Sequence, residues 1–109
     1  MDKIEKPWGY EIVWAKTDKY VGKLLFIKGG HRLSKQYHEK KEETIFVLKG
    51  PLYTYNEDDT ITKLLSGDTF HVAPGQVHRF GACETNVELI EVSTPELDDV
   101  VRLEDDYSR

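Results

Sequence analysis

Gly30-His31-Arg32-Leu33-Ser34-Lys35-Gln36-Tyr37-His38-Glu39-Lys40-Lys41-Glu42-Glu43-Thr44-Ile45-Phe46-Val47-Leu48-Lys49-Gly50 is the stretch that decides the fold. It holds two short runs, Leu33 to His38 and Thr44 to Lys49, with a glycine at either end and a charged turn between them. Neither here nor elsewhere does an apolar 3.6-residue period persist over three turns, so the runs read as strands. The pattern repeats outward: Tyr10 to Trp14 and Tyr20 to Lys28 come before, and Leu52 to Asn56, Ile61 to Leu65, Thr69 to Val72, His78 to Gly81 and Val87 to Ser93 come after. Gly29-Gly30, Gly50-Pro51, Asn56-Glu57-Asp58-Asp59, Ser66-Gly67-Asp68 and Pro74-Gly75 punctuate the runs, supplying positive φ, a preset φ or local side-chain hydrogen bonds. Strand centres roughly 8–12 residues apart are the spacing of sandwiches and barrels. The sequence therefore predicts an all-β chain closed into a small double-sheet barrel.

A length of 109 residues allows one domain, 1–109. After Thr94-Pro95 the composition turns acidic, and the tail 96–109 is expected to lie packed on the barrel. With 39% hydrophobic and 32% charged residues the chain can build one core, a thin one, since a chain of this size buries only about 60–70% of its unfolded surface. Twenty Asp and Glu against fifteen Lys and Arg give a net charge of -5, which argues against a nucleic-acid partner. Cys83, the single cysteine, can form neither an internal disulfide nor a thiolate zinc site; it points to a reducing compartment and is expected to be at least partly buried. The opening Met1-Asp2-Lys3-Ile4-Glu5-Lys6-Pro7 contains no apolar stretch of signal type, and no window approaches the roughly 18 apolar residues of a membrane span. The expectation is a cytoplasmic protein with no membrane partner.

The histidines carry the chemistry. Gln36 and His38 are two apart on a strand and share a face, Glu43 opens the next run, and His78 begins a strand that in a closed barrel faces the same interior. Two imidazoles, a carboxylate and an amide oxygen suit a divalent first-row ion: zinc, manganese, cobalt, nickel or iron. The lack of a second sulfur or of a carboxylate cluster weighs against structural zinc and calcium sites.

The spacings form two rulers. Gly30, Gln36, His38, Glu43 and Gly50 resemble the first motif of the cupin superfamily, with Gln36 where the first His usually stands. Gly67, Gly75 and His78 resemble the second, with Ala73 at the usual Pro and Ala82 at the usual Asn. Lys6-Pro7-Trp8-Gly9, Leu33-Ser34-Lys35-Gln36-Tyr37-His38, His78-Arg79, Leu89-Ile90-Glu91-Val92 and the stretch 98–109 narrow the resemblance to the type II mannose-6-phosphate isomerase domain, almost end to end. In that family Gln-x-His is the usual first-motif form, and the domain is often the C-terminal part of a bifunctional enzyme with a GDP-mannose pyrophosphorylase. Glu43-Thr44-Ile45 departs from the family's Glu-His-Trp, and Ser93-Thr94-Pro95-Glu96-Leu97 from its Gln-Ser-Gly-x-Tyr-Leu-Gly. The resemblance implies a jelly-roll barrel, or double-stranded β-helix, that interconverts an aldose phosphate and a ketose phosphate.

In that reading an ion on Gln36, His38, Glu43 and His78 keeps positions open for a substrate carbonyl and hydroxyl. It acts as a Lewis acid while a base moves the α proton through an enediolate. Glu91, His71 and a hydroxide on the metal are the candidates for the base. For the phosphate, Arg79 and Arg102 match family positions. Alternation turns Arg79 away from the metal side, because His78 and Phe80 share the inner face, and leaves Arg102 the better candidate. Two other functions fit the same residues: a non-haem iron oxygenase on His38, Glu43 and His78 with Gln36 as bystander, and a non-catalytic sugar-binding module. Trp8, Trp14, Tyr53 and Tyr55 exceed what a thin core needs and, with open sheet edges, predict a homodimer.

Overall fold

The computed structural model describes residues 2–107; Met1, and Ser108 and Arg109 of the acidic tail, lie outside the described residues. The strands in chain order are β1 (Asp2–Lys6), β2 (Gly9–Lys16), β3 (Val21–Ile27), β4 (Lys35–Tyr37), β5 (Glu43–Lys49), β6 (Leu52–Tyr55), β7 (Ile61–Leu64), β8 (Thr69–Val72), β9 (Arg79–Gly81), β10 (Val87–Ser93) and β11 (Val101–Glu104). No helix among the described residues is long and apolar enough to cross a membrane.

One sheet has six antiparallel strands in the order β1-β2-β3-β10-β5-β8. The opposing layer is built from β7-β6-β9 and from the pair β11-β4, linked by bridges between Gln36 and His78 and between Arg32 and Gly81. This is the double-sheet barrel that the strand spacing predicts, with the jelly-roll form that the family resemblance implies. Two strands go beyond that prediction, β1 and β11. Their side chains are mostly exposed, so no apolar alternation marks them, and they form because each can add its backbone to a free strand edge, β1 to β2 and β11 to β4.

Antiparallel pairing puts opposed residues on one face of a sheet. On the inner face the row Leu25, Leu89, Val47 and the pair Ile27, Val87 meet Leu33, Leu52 and Phe80 of the second layer in the core. Along the same strands the next rows are Lys23, Glu91, Ile45 and then Val21, Ser93, Glu43. The barrel interior is thus apolar at one end and charged at the other.

Two placements correct the sequence reading. Trp8 is 3% exposed and belongs to the core rather than to an aromatic surface. It sits in the tight turn between β1 and β2, where its carbonyl accepts the Lys28 N–H. The next residue, Gly9, has φ +155, and a Cβ there would stand 1.9 Å from the Phe26 carbonyl oxygen. Cys83 is exposed, not buried, because it falls in the turn after β9 rather than on a strand. Trp14 does reach the surface, lying over Gly22 on the outer face of the large sheet.

Candidate metal centre

Strand β4 carries Gln36 toward the charged end of the interior, while Lys35 turns out to Asp59 (3.2 Å) and Glu104 (3.5 Å). His38 follows the strand and is 3% exposed. Glu43 starts β5 opposite Ser93 and Val72, and His78 meets Gln36 through paired backbone hydrogen bonds of 3.0 and 2.9 Å. His38, Glu43 and His78 each offer one ligand atom within 4.8 Å of the others, all three residues buried. Glu43 Oε1 lies 3.9 Å from His38 Nε2 and 3.5 Å from His78 Nε2.

Both rings are oriented from behind. His38 Nδ1–H donates to the Asp99 carbonyl, and His78 Nδ1–H donates to the Gln76 carbonyl at 3.0 Å. Each Nε2 therefore presents a lone pair to the centre, and His38 Nε2 is buried without a hydrogen-bond partner. Such an orphaned acceptor costs stability in an apolar setting, and a divalent cation would satisfy it. Gln36 Nε2 is 3.5 Å from His78 Nε2, and Gln36 Oε1 accepts the Ser34 hydroxyl at 2.8 Å. Exchanging the two ends of the amide puts its oxygen on the ligand side and lets Ser34 Oγ accept instead. The donor set fits a borderline metal ion.

The electrostatics of the two imidazoles agree. Burial pushes His78 down to about 4 and lowers His38, so both imidazoles are neutral at pH 7. Burial, reinforced by Glu91, pushes the Glu43 carboxyl up to about 8. Glu91 is buried too, but Lys41 and Lys23 outweigh its desolvation and hold it below the usual carboxylate range. Lys41 lies 3.2 Å from both Glu43 Oε2 and Glu91 Oε2; the two carboxylates raise it in spite of its own burial. A second buried pair, Lys23 with Glu11 at 3.2 Å, stands beside them.

Glu11, Lys23, His38, Lys41, Glu43 and Glu91 border a cavity of about 320 Å³, with Lys6, Asp98 and Arg102 also among its lining residues. Arg102 stands opposite Gln36 in the β11–β4 register and so shares its face. The structure brings Gln36, His38, Glu43, His78 and Glu91 together, with Arg102 toward solvent. It keeps His71 away, exposed and bonded to Glu42 at 2.6 Å, and it engages Arg79 with the Leu33 carbonyl (2.8 Å) and Asp106 (3.0 Å). Sequence reasoning passed over Lys41, Lys23 and Glu11. Lys23 carried a signal, for in the alternation Val21, Lys23, Leu25, Ile27 it holds an inward position; Lys41 lay in a charge run that looks solvated.

A jelly roll with His-rich donors converging inside one end defines a cupin. The chain belongs to the mannose-6-phosphate isomerase C-terminal family, which it matches over residues 1–105. It is 28% identical over 105 residues to the mannose-1-phosphate guanylyltransferase of Sinorhizobium fredii, an alignment that covers 93% of this chain and 20% of that protein. The chain thus spans about a fifth of the length of this relative. Among solved structures it is similar to KdgF from Halomonas sp., with TM-score 0.79, 20% identity and coverage of 90% of this chain and 91% of that one. It is also similar to a sugar phosphate isomerase of the cupin superfamily from Silicibacter pomeroyi, with TM-score 0.72, 14% identity and coverage of 91% and 78%.

Proposed function

We propose that this chain is a metal-dependent sugar-phosphate isomerase that interconverts an aldose phosphate and a ketose phosphate. The observation that carries the reading is the convergence of His38, Glu43 and His78 within 4.8 Å beside a cavity of about 320 Å³. A divalent ion held by these three residues, and by Gln36 with its amide turned, supplies a Lewis acid for a substrate carbonyl. Glu91, kept ionised by Lys41, takes the proton α to the carbonyl and returns it to the former carbonyl carbon, while the proton of the α hydroxyl passes to the former carbonyl oxygen, so no proton is gained or lost overall. Arg102 and Lys6 line the same cavity, and their cations suit a phosphate arriving from solvent. The family membership supports a phosphosugar over other carbonyl substrates. We assign the reaction to the cytoplasm, in keeping with the lone Cys83, and to a homodimer joined through the apolar outer face of the six-stranded sheet.

The test is turnover. Protein stripped of metal and reloaded with zinc, manganese, cobalt, nickel or iron is given mannose 6-phosphate, and fructose 6-phosphate is measured. Conversion with at least one ion supports the isomerase. Stoichiometric ion without turnover replaces it with a sugar-binding module, and oxygen uptake by anaerobically reconstituted iron protein replaces it with an oxygenase.

A further inference from the structure

Between His38 and Glu43 the chain makes a short loop, Glu39-Lys40-Lys41-Glu42. Three successive N–H groups of that loop donate to one carboxylate, that of Asp99: Glu39 to Oδ1 at 3.1 Å, Lys40 to Oδ2 at 2.7 Å and Lys41 to Oδ2 at 2.9 Å. Consecutive amides converging on an anion form a nest, which fixes the backbone that makes it. The main-chain carbonyl of the same Asp99 accepts Nδ1–H of His38, 61 residues away in sequence. The segment bearing Asp99 is itself anchored. Asp99 N–H and Val100 N–H donate to Glu96 and Asp98 carbonyls, and β11 pairs with β4. Further on, Asp106 binds Arg32 at 2.6 Å and Arg79 at 3.0 Å, and Tyr107 Oη meets His31 Nδ1 at 2.7 Å.

We propose that Asp99 is the positioning residue of the metal centre. Its carboxylate sets the course of the loop that bears Lys41 and leads into Glu43, and its carbonyl fixes the tautomer and orientation of the His38 ring. The strap 96–107 is then part of the site rather than a cover on the barrel. The inference rests on the metal reading above and deepens it. It follows from the general behaviour of metal-bound imidazoles, whose far nitrogen is held by a carboxylate or carbonyl that governs affinity.

The experiment compares wild type with D99A and D99N. In metal-free protein at slightly alkaline pH, proton–nitrogen correlation spectra report the His38 tautomer; competition with a chelating dye then reports zinc affinity. Wild type is expected to show a single Nδ1–H tautomer and one bound zinc. D99A is expected to mix tautomers at His38 and to bind zinc about 10–100-fold more weakly, with His78 unchanged because its support comes from Gln76. Both variants keep the main-chain carbonyl; D99N also keeps one side-chain acceptor oxygen for the loop N–H groups and is expected to fall between, which gives a reading if D99A does not fold. A variant with the wild-type tautomer and wild-type affinity overturns the proposal. The tautomer is read without metal, so it judges Asp99 even if wild type takes up no ion, the result that would instead sink the metal reading.

Discussion

His38 and His78 give their Nδ1 protons to main-chain carbonyls of Asp99 and Gln76, which leaves two lone pairs aimed at one carboxyl. Replacing both with Ala is expected to remove stoichiometric metal while the sheet signal in circular dichroism persists, because the apolar rows do not include them; metal analysis and the spectrum check both halves. Lys41 makes a different prediction. It contacts both Glu43 and Glu91, so Lys41→Met removes the cation that the two buried acids share and should cost about 3–5 kcal/mol in denaturant unfolding. A loss of less than about 1 kcal/mol would mean that Lys41 is not the charge that holds the pair. The meeting of Gln36, His38, Glu43 and His78 at one end of the barrel was legible because strand period and turn residues locate them. Lys41 and Asp99 were not, because their positions depend on a loop and a strap meeting across 58 residues, a relation that no local pattern carries.

At the scale of elements, legibility follows burial. Strand β10 matches its predicted span, Val87 to Ser93, because buried Val87, Leu89, Glu91 and Ser93 alternate with more exposed neighbours. Strand β4 is only Lys35–Tyr37 against a predicted Leu33 to His38, since Leu33 and His38 hydrogen-bond outside the ladder. Strand β1 depends on its turn. Gly9→Ala forces a Cβ onto the Phe26 carbonyl oxygen, 1.9 Å away, at a φ that L residues avoid, and should lower stability by more than about 1 kcal/mol in thermal or chemical unfolding. The docking of β11 has a pH dependence of known sign. The hydrogen bond from Arg32, then the charges of Arg79 and Arg32, hold the Asp106 carboxyl below its ordinary value of 3.8. That contribution is present in full above the ordinary value and is lost as pH falls through the lower folded one. Amides of Val101 to Glu104 should therefore lose exchange protection below about pH 4 before those of β10 do. Parallel loss in the two strands would show that Asp106 does not anchor the strap.

At the scale of the molecule, the outer face of the large sheet exposes Trp14 (48%), Phe46 (41%), Leu48 (46%) and Val92 (49%) on its inner strands. The edge strands carry the charged Lys3 and Glu5 on one side and His71, paired with Glu42, on the other. An apolar centre with a charged rim fits the anatomy of an interface, and the homodimer proposed above would cover it with the same surface of a second copy. Sedimentation is expected to give twice the 12.6 kDa of the chain, and Phe46→Glu to return it to a single copy; a wild-type monomer at micromolar concentration would refute the assignment. The interior, apolar at one end and charged at the other, has an evolutionary consequence. Folding draws on Ile27, Val47, Val87 and Leu89, which stand clear of the cavity, whereas the cavity takes its charge from Glu11, Lys23, Lys41 and Glu91; Trp8, Leu25, Leu33 and Phe80 serve both. Exchanging complete buried ion pairs for packed apolar groups is often neutral or stabilising. Descendants of such a barrel can therefore rewrite the pocket for new substrates on an inherited scaffold, provided that ion pairs are exchanged whole; a library that replaces Lys23 and Glu11 together by apolar residues should hold more folded members than one that replaces either alone.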